Sequence, residues 1–118
     1  MKKLYSLLSV LFLISTGFGQ KLHEVIETYE NGNIKSITYH KKIRDRVEKV
    51  KFEKYYENRQ KESEGTYKDG EMDGLWTEWD YNGQKSEEIN YKNGKKDGLY
   101  TEWYENGQKK WEGTNKGD

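Results

Sequence analysis

The sequence contains no cysteine and no proline, and its 21 Lys+Arg balance 21 Asp+Glu to a formal net charge of zero. Lack of cysteine excludes a disulfide scaffold, a thiolate metal site, a thiol nucleophile and the lipid-bearing residue of a lipoprotein. Zero net charge gives no support to phosphate neutralisation, so no nucleic-acid partner is expected. Aliphatic residues are scarce as well: beyond Lys51 the only Leu, Ile or Val residues are Leu75, Ile89 and Leu99. So few argue against a thick core, and hence against a doubly wound α/β fold or a helix bundle. A length of 118 residues points to one small domain.

What the chain does have is aromatic. From residue 20 onward there are 26 hydrophobic residues, and 14 of them are Tyr, Trp or Phe. Residues 1–19 are different, with a basic start at Met1-Lys2-Lys3, an apolar run from Leu4 to Ile14 and the small residues Ser15-Thr16-Gly17-Phe18-Gly19. These are the three regions of a secretory signal peptide, with cleavage before Gln20. The apolar run falls short of the ~20 residues a bilayer span needs, so no stable membrane span is expected after cleavage. The alternative is an uncleaved N-terminal anchor. The expected location is outside the cytoplasm, periplasmic or secreted, with a mature chain of 19 basic and 21 acidic residues.

The strongest internal signal is a repeat. Tyr67-Lys68-Asp69-Gly70 recurs as Tyr91-Lys92-Asn93-Gly94, and Asp73-Gly74-Leu75-Trp76-Thr77-Glu78-Trp79 recurs as Asp97-Gly98-Leu99-Tyr100-Thr101-Glu102-Trp103. Asn82-Gly83-Gln84-Lys85 recurs as Asn106-Gly107-Gln108-Lys109, again 24 residues on. Tyr56-Glu57-Asn58-Arg59-Gln60-Lys61 lies 24 residues before residues 80–85, and Tyr29-Glu30-Asn31-Gly32 is a further copy offset by 27. Such a period marks stacked units, none of which buries its apolar face alone. Within a unit, Leu99, Thr101 and Trp103 alternate with Tyr100, Glu102 and Tyr104, the period-2 pattern of a strand. Asn-Gly and Asp-Gly pairs separate the strands, and Gly70, Gly74, Gly83, Gly94, Gly98 and Gly107 are the expected turn positions.

The expected fold is therefore all-β, built of repeated β-hairpins in units of about 24 residues that each read strand, turn, strand, turn. A two-residue loop at Asn82-Gly83 would set Glu78 opposite Glu87, a like-charge pair that sheets disfavour. A three-residue loop, Tyr81-Asn82-Gly83, is preferred, and it sets Leu75 opposite Ile89 and Trp79 opposite Lys85. In the next unit it sets Glu102 opposite Lys110 and Leu99 opposite Gly113. Three parts follow: residues 1–19 as signal, 20–54 as a degenerate repeat with an irregular connection, and 55–118 as regular repeats. In the middle part Ile43, Val47 and Val50 have helical spacing, but residues 51–56 align with the strand at 99–104. Residues 41–48 read as an extended, irregular link.

Gly65, Tyr67-Lys68, Gly70, Asp73-Gly74-Leu75-Trp76, Trp79 and Asn82-Gly83, with their next copy, resemble the MORN-repeat variant. That variant occurs in bacterial proteins similar to the YwqK-type toxin–antitoxin system antitoxin family. The resemblance covers most of residues 55–118, and more faintly 24–39. It implies an elongated, single-layer antiparallel meander of hairpins, and neutralisation of a toxin or effector by binding, without catalysis. An export signal departs from a cytoplasmic antitoxin.

Two faces are expected of the sheet. Tyr67, Leu75, Trp79, Ile89, Tyr91, Leu99 and Trp103 are the expected repeat core. Trp76, Tyr100 and Tyr104, fringed by Glu78 and Glu102, are expected on the opposite face as an exposed contact surface for a protein partner. The same aromatics suit stacking on sugar rings, so a carbohydrate or cell-surface binding module is the alternative. Asp69, Glu71, Asp73 and Gly74 imitate the start of a calcium loop, but the next copy places Lys95 and Lys96 where ligands belong. His23 and His40 have no third ligand or nucleophile beside them, and no pair of acids is singled out for catalysis. No enzyme, metal or cofactor is expected.

Overall fold

The computed structural model describes residues 7–8, 14–16 and 20–117. The proposed signal segment lies outside the described residues except for two short stretches. The described strands are β1 Leu7–Leu8, β2 Ile14–Thr16, β3 Gln20–Thr28, β4 Ile34–Ile43, β5 Arg46–Tyr55 and β6 Lys61–Lys68. β7 Glu71–Met72, β8 Gly74–Trp79, β9 Lys85–Lys92, β10 Lys95–Trp103 and β11 Lys109–Asn115 follow. They form one antiparallel sheet in the order β1-β3-β4-β5-β6-β8-β9-β10-β11, with β2 paired to β3 and β7 to β6. The sheet is an open meander whose strands pack mainly on their sheet neighbours. Its radius of gyration, 16.4 Å, exceeds the ~13.5 Å of a compact domain of this length, as a single extended layer should. Among the described residues no helix is long and apolar enough to cross a membrane.

Two kinds of turn alternate along the meander. On one side are three-residue turns, in which Tyr29, Tyr56, Asp80 and Tyr104 each accept a bond from the residue three ahead. Asn31, Asn58, Asn82 and Asn106 repeat the same local bond, each side-chain oxygen accepting the backbone N–H two residues on at 2.9–3.0 Å. This is the Asx turn that short amide side chains favour. Positive φ closes the turn, at Gly32, Gly83 and Gly107 but also at Arg59. On the other side are two-residue turns at Asp69-Gly70 and Asn93-Gly94, with positive φ at both positions of each. Gly74 and Gly98 take positive φ just beyond.

The same arrangement continues where an irregular link was expected. β4 and β5 pair from Ser36↔Lys54 to Ile43↔Arg46, so residues 41–48 are the two strand ends and a two-residue turn at Arg44-Asp45. The helical spacing of Ile43, Val47 and Val50 has no counterpart. Strand pairing on both flanks decides the conformation of this charged stretch.

Register brings the second correction. The three-residue loop forms and Trp79 does face Lys85, but the ladder shifts by one residue at Glu78/Trp79. Beyond that bulge Glu78 faces Glu87 and Trp76 faces Ile89. The next hairpin shifts at Glu102/Trp103, so Glu102 faces Trp111, Tyr100 faces Gly113 and Leu99 faces Thr114. A one-residue shift exchanges the faces of every partner. Leu75 and Leu99, expected in the core, are therefore 47% and 49% exposed, while Trp76 is 8% exposed.

Candidate functional site

Cross-strand pairing assigns the residues of each face. One face carries Phe52, Trp76 and Tyr100 on β5, β8 and β10, with Gly65 and Ile89 between them and Gly113 beyond Tyr100 on β11. Both columns step by 24 residues. The two glycines of the row leave room for a ring to lie over their backbone. Trp76 covers Gly65 so closely that a Cβ there would stand 2.1 Å from the indole. Its Nε1 donates to the Thr66 carbonyl at 3.1 Å, and Tyr67 and Tyr91 meet the ring edge-on at 5.3 and 6.3 Å. Trp76 and Ile89 are the buried hydrophobic residues here. Trp76, expected as an exposed contact, is the centre of the core. Tyr67 and Tyr91, expected on the other side of the sheet, share its face.

Towards the three-residue turns this face becomes polar. Lys54, Ser63, Glu78, Glu87, Glu102 and Trp111 stand side by side on six neighbouring strands. From Lys54 to Glu102 this row, together with Tyr56, Glu62, Asp80, Tyr104 and Lys110, lines a cavity of about 610 Å³. Ion pairs close its two ends, Lys54–Glu62 at 3.0 Å and Lys110–Glu102 at 3.2 Å. Among the described residues Glu78 and Glu87, between them, have no ion pair. Partial burial, then the charges of Glu87 and Glu62, raise the pKa of the Glu78 carboxyl. Burial followed by Glu87 and Glu102 likewise raises that of the Tyr100 hydroxyl.

The structure thus gathers Glu78, Glu102 and Tyr104 in one cavity, with Tyr100 on the adjoining stretch of β10 and Trp76 in the core above. Tyr104 is 51% exposed, and Lys110 lies over its ring at 5.8 Å. Sequence reasoning missed Glu87, Lys54, Tyr56 and Glu62. The signal for Glu87 was the Glu78–Glu87 register itself, set aside because like charges oppose pairing.

The opposite face is a ladder of paired charges. Lys61, Lys85 and Lys109 reach Glu64, Glu88 and Glu112, three residues ahead, at 2.9, 3.4 and 2.9 Å. Lys61 also lies over the Trp79 ring, and Lys85 over Trp103. Beneath the ladder, at 24-residue steps, are three buried polar residues: Glu53, Thr77 and Thr101. Tyr39 donates its hydroxyl hydrogen bond to Glu53, Tyr55 donates a second at 3.3 Å, and Lys61 pairs with Glu53 at 2.9 Å. Burial alone would raise the Glu53 pKa, but the bonds from Tyr39 and Lys61 and the charges of Lys51 and Lys61 hold it below the ordinary carboxyl value. Burial and the bond to Glu53 keep the Tyr39 phenol protonated well above its usual range.

These hairpins, built from β8–β9 and β10–β11 with a common turn and a 24-residue step, coincide with the segments that match a known repeat. Residues 72–93 and 96–114 match the MORN repeat variant. No curated protein and no solved structure matches the chain. Both matched segments contribute to the acidic cavity, Glu78 and Glu87 from the first and Glu102 and Lys110 from the second. No group of three His, Cys, Asp or Glu side chains among the described residues is arranged to hold a metal ion. Of the residues imitating a calcium loop, Asp69 and Gly70 form the two-residue turn, Glu71 lies on β7, and Gly74 begins β8.

Proposed function

We propose that this chain is a non-catalytic binding protein, exported by its N-terminal segment, whose acidic cavity receives a basic segment of a protein partner. The observation that carries this reading is the side-by-side placement of Glu78, Glu87 and Glu102 on three adjacent strands, within a cavity edged by Tyr56 and Tyr104. Like charges directly opposed weaken a sheet, and a cationic partner would relieve them. Flanking tyrosines supply the amphipathic surface that protein contacts favour. The resemblance to antitoxins suggests a toxin or effector as that partner, held in an antitoxin- or immunity-like complex.

Carbohydrate binding is the second reading, because Tyr104 and Trp111 are each 51% exposed. Lysines over the rings of Trp79, Trp103 and Tyr104 favour the protein reading, since sugar stacking needs a free ring face. Affinity capture with the chain lacking residues 1–19, compared with its Glu78→Gln/Glu87→Gln variant, tests the proposal. Recovery of one stoichiometric protein by the wild type, weakened by salt and lost in the folded variant, supports it. Retention on polysaccharide by both forms, with no stoichiometric protein, overturns it in favour of the glycan reading.

A further inference from the structure

The three-residue turns obey one rule with one exception. Asn31-Gly32, Asn82-Gly83 and Asn106-Gly107 place Gly at the closing position, whereas the turn after β5 has Asn58-Arg59. Arg59 nevertheless adopts φ +74°, the left-handed conformation its side chain disfavours. A strained residue in place of an available Gly suggests that its side chain has a use. The side chain reaches back to the preceding three-residue turn, where Nε donates to Asn33 Oδ1 at 3.3 Å. There Arg59 lines a cavity of about 350 Å³ with Gly32, Asn33, Ile34 and Tyr55. Among the described residues the guanidinium has no ion pair, and its bond to Asn33 uses Nε rather than the two Nη groups. Glu30 and Glu57, on the same turns, line a separate cavity with Tyr29 and Asn31.

We infer that this cavity binds a carboxylate joined to a small apolar group, with Arg59 as its anchor. A guanidinium presents parallel N–H donors that match a carboxylate, and a charge-assisted pair of this kind is about twice as strong as a neutral one. Arg59 is the one cation among the lining residues, which suits a monoanion better than a phosphate dianion. Ile34, 39% exposed, and Tyr55 provide the apolar wall. The volume lies near the lower end of small-molecule sites, so the ligand has few heavy atoms. A free organic acid and the C-terminus of a peptide share this chemistry. The site is separate from the acidic cavity and stands or falls without it.

An NMR titration of the full chain tests the inference, reading the Arg59 Nε–Hε and Asn33 and Ile34 amide signals. The probes are N-acetylleucine, N-acetylleucine amide, and a short peptide ending in leucine as free acid and as amide. Both acids should shift these signals and both amides should not. Tighter binding of the peptide acid identifies a peptide C-terminus as the source, and equal binding identifies the free acid. Arg59→Gly restores the repeat residue, so it should fold with an unchanged or higher melting temperature and bind the acids about tenfold more weakly or less. Arg59→Gln keeps the side-chain length without the charge and should show the same loss. No shift with either acid, equal shifts with the amides, or undiminished acid binding by Arg59→Gln would each overturn the inference.

Discussion

The two segments that match the MORN repeat variant, residues 72–93 and 96–114, and the strands at residues 20–61 are built on one backbone plan and filled differently. Both have three-residue turns held by the same asparagine bond, and both form regular antiparallel ladders. In the repeats a Gly closes each turn, Thr77 and Thr101 fill the buried position of one face, and aromatic rings lie over small residues on the other. In the earlier strands Arg59 closes a turn, Glu53 takes the buried position, and Val25, Ile26, Ile37 and Phe52 provide much of the apolar surface. Turn chemistry therefore propagates the meander, while the faces are free to diverge. Breaking one element in each region at equivalent positions shows which parts of the plan carry stability.

The largest effect is expected under the rings. Gly65 and Gly113 are equivalent, and a Cβ at either would stand 2.1 Å from an indole, that of Trp76 or Trp111. The consequences should differ because Trp76 is 8% exposed and pinned by its bond to Thr66, whereas Trp111 is 51% exposed. Gly65→Ala must displace the core and should destabilise by about 3 kcal/mol. Gly113→Ala needs only a swing of Trp111 into solvent and should cost less than about 1 kcal/mol. Urea unfolding of the two variants measures the contrast, and equal losses would show that Trp111 is as fixed as Trp76.

A smaller effect is expected from exchanging the buried polar residue. Glu53→Thr installs the residue found 24 and 48 positions later and removes the acceptor of Tyr39, Tyr55 and Lys61. Breaking a fully buried ion pair costs about 3–5 kcal/mol. The Lys61 side chain is 31% exposed and keeps Glu64, so about 2 kcal/mol is expected here. Glu53 has a lowered folded pKa, so its contribution is complete above the unfolded carboxyl value of about 4.3 and is lost as pH falls through the folded value. The stability gap between wild type and Glu53→Thr should stay constant from pH 7 to about 5 and close below pH 4, as followed by thermal melts.

How legible this was in the sequence depended on how local the cause is. Asn-Gly and Asp-Gly turns act within a few residues, so Tyr81-Asn82-Gly83 and the 24-residue step were readable without a structure. The bulge beside Trp79 was not, because Ser86 drops out of the ladder and no composition rule marks it. That one residue exchanged faces, placing Tyr67 and Tyr91 with Trp76 and exposing Leu75 and Leu99. The candidate site was half legible. Glu78, Glu102 and Tyr104 were found as a charged fringe, whereas Glu87 was hidden by the assumption that a sheet avoids like charges. Glu78 is only partly buried beside an open cavity, where solvent screens much of the repulsion.

That screened repulsion gives the smallest effect, with a sign opposite to that of Glu53. Glu78 has a raised pKa, from burial and then from Glu87 and Glu62, so the folded chain binds this proton more readily than the unfolded one. Its ionised form opposes folding at neutral pH, and stability is regained as pH falls through the folded value towards the unfolded one. Glu78→Gln should therefore stabilise the chain at pH 7 by less than about 1 kcal/mol, the range of a single cross-strand pair. The gain should shrink as pH falls from 7 to about 4.5, while the loss in Glu53→Thr remains. Salt discriminates further, because 0.5 M sodium chloride should reduce the Glu78→Gln gain and leave Glu53→Thr largely unchanged, its carboxylate being shielded from solvent. A Glu78→Gln variant less stable than wild type at pH 7 would mean that Glu78 has a structural partner in the sheet, and that relief of repulsion by a cationic ligand is not what the glutamate row provides.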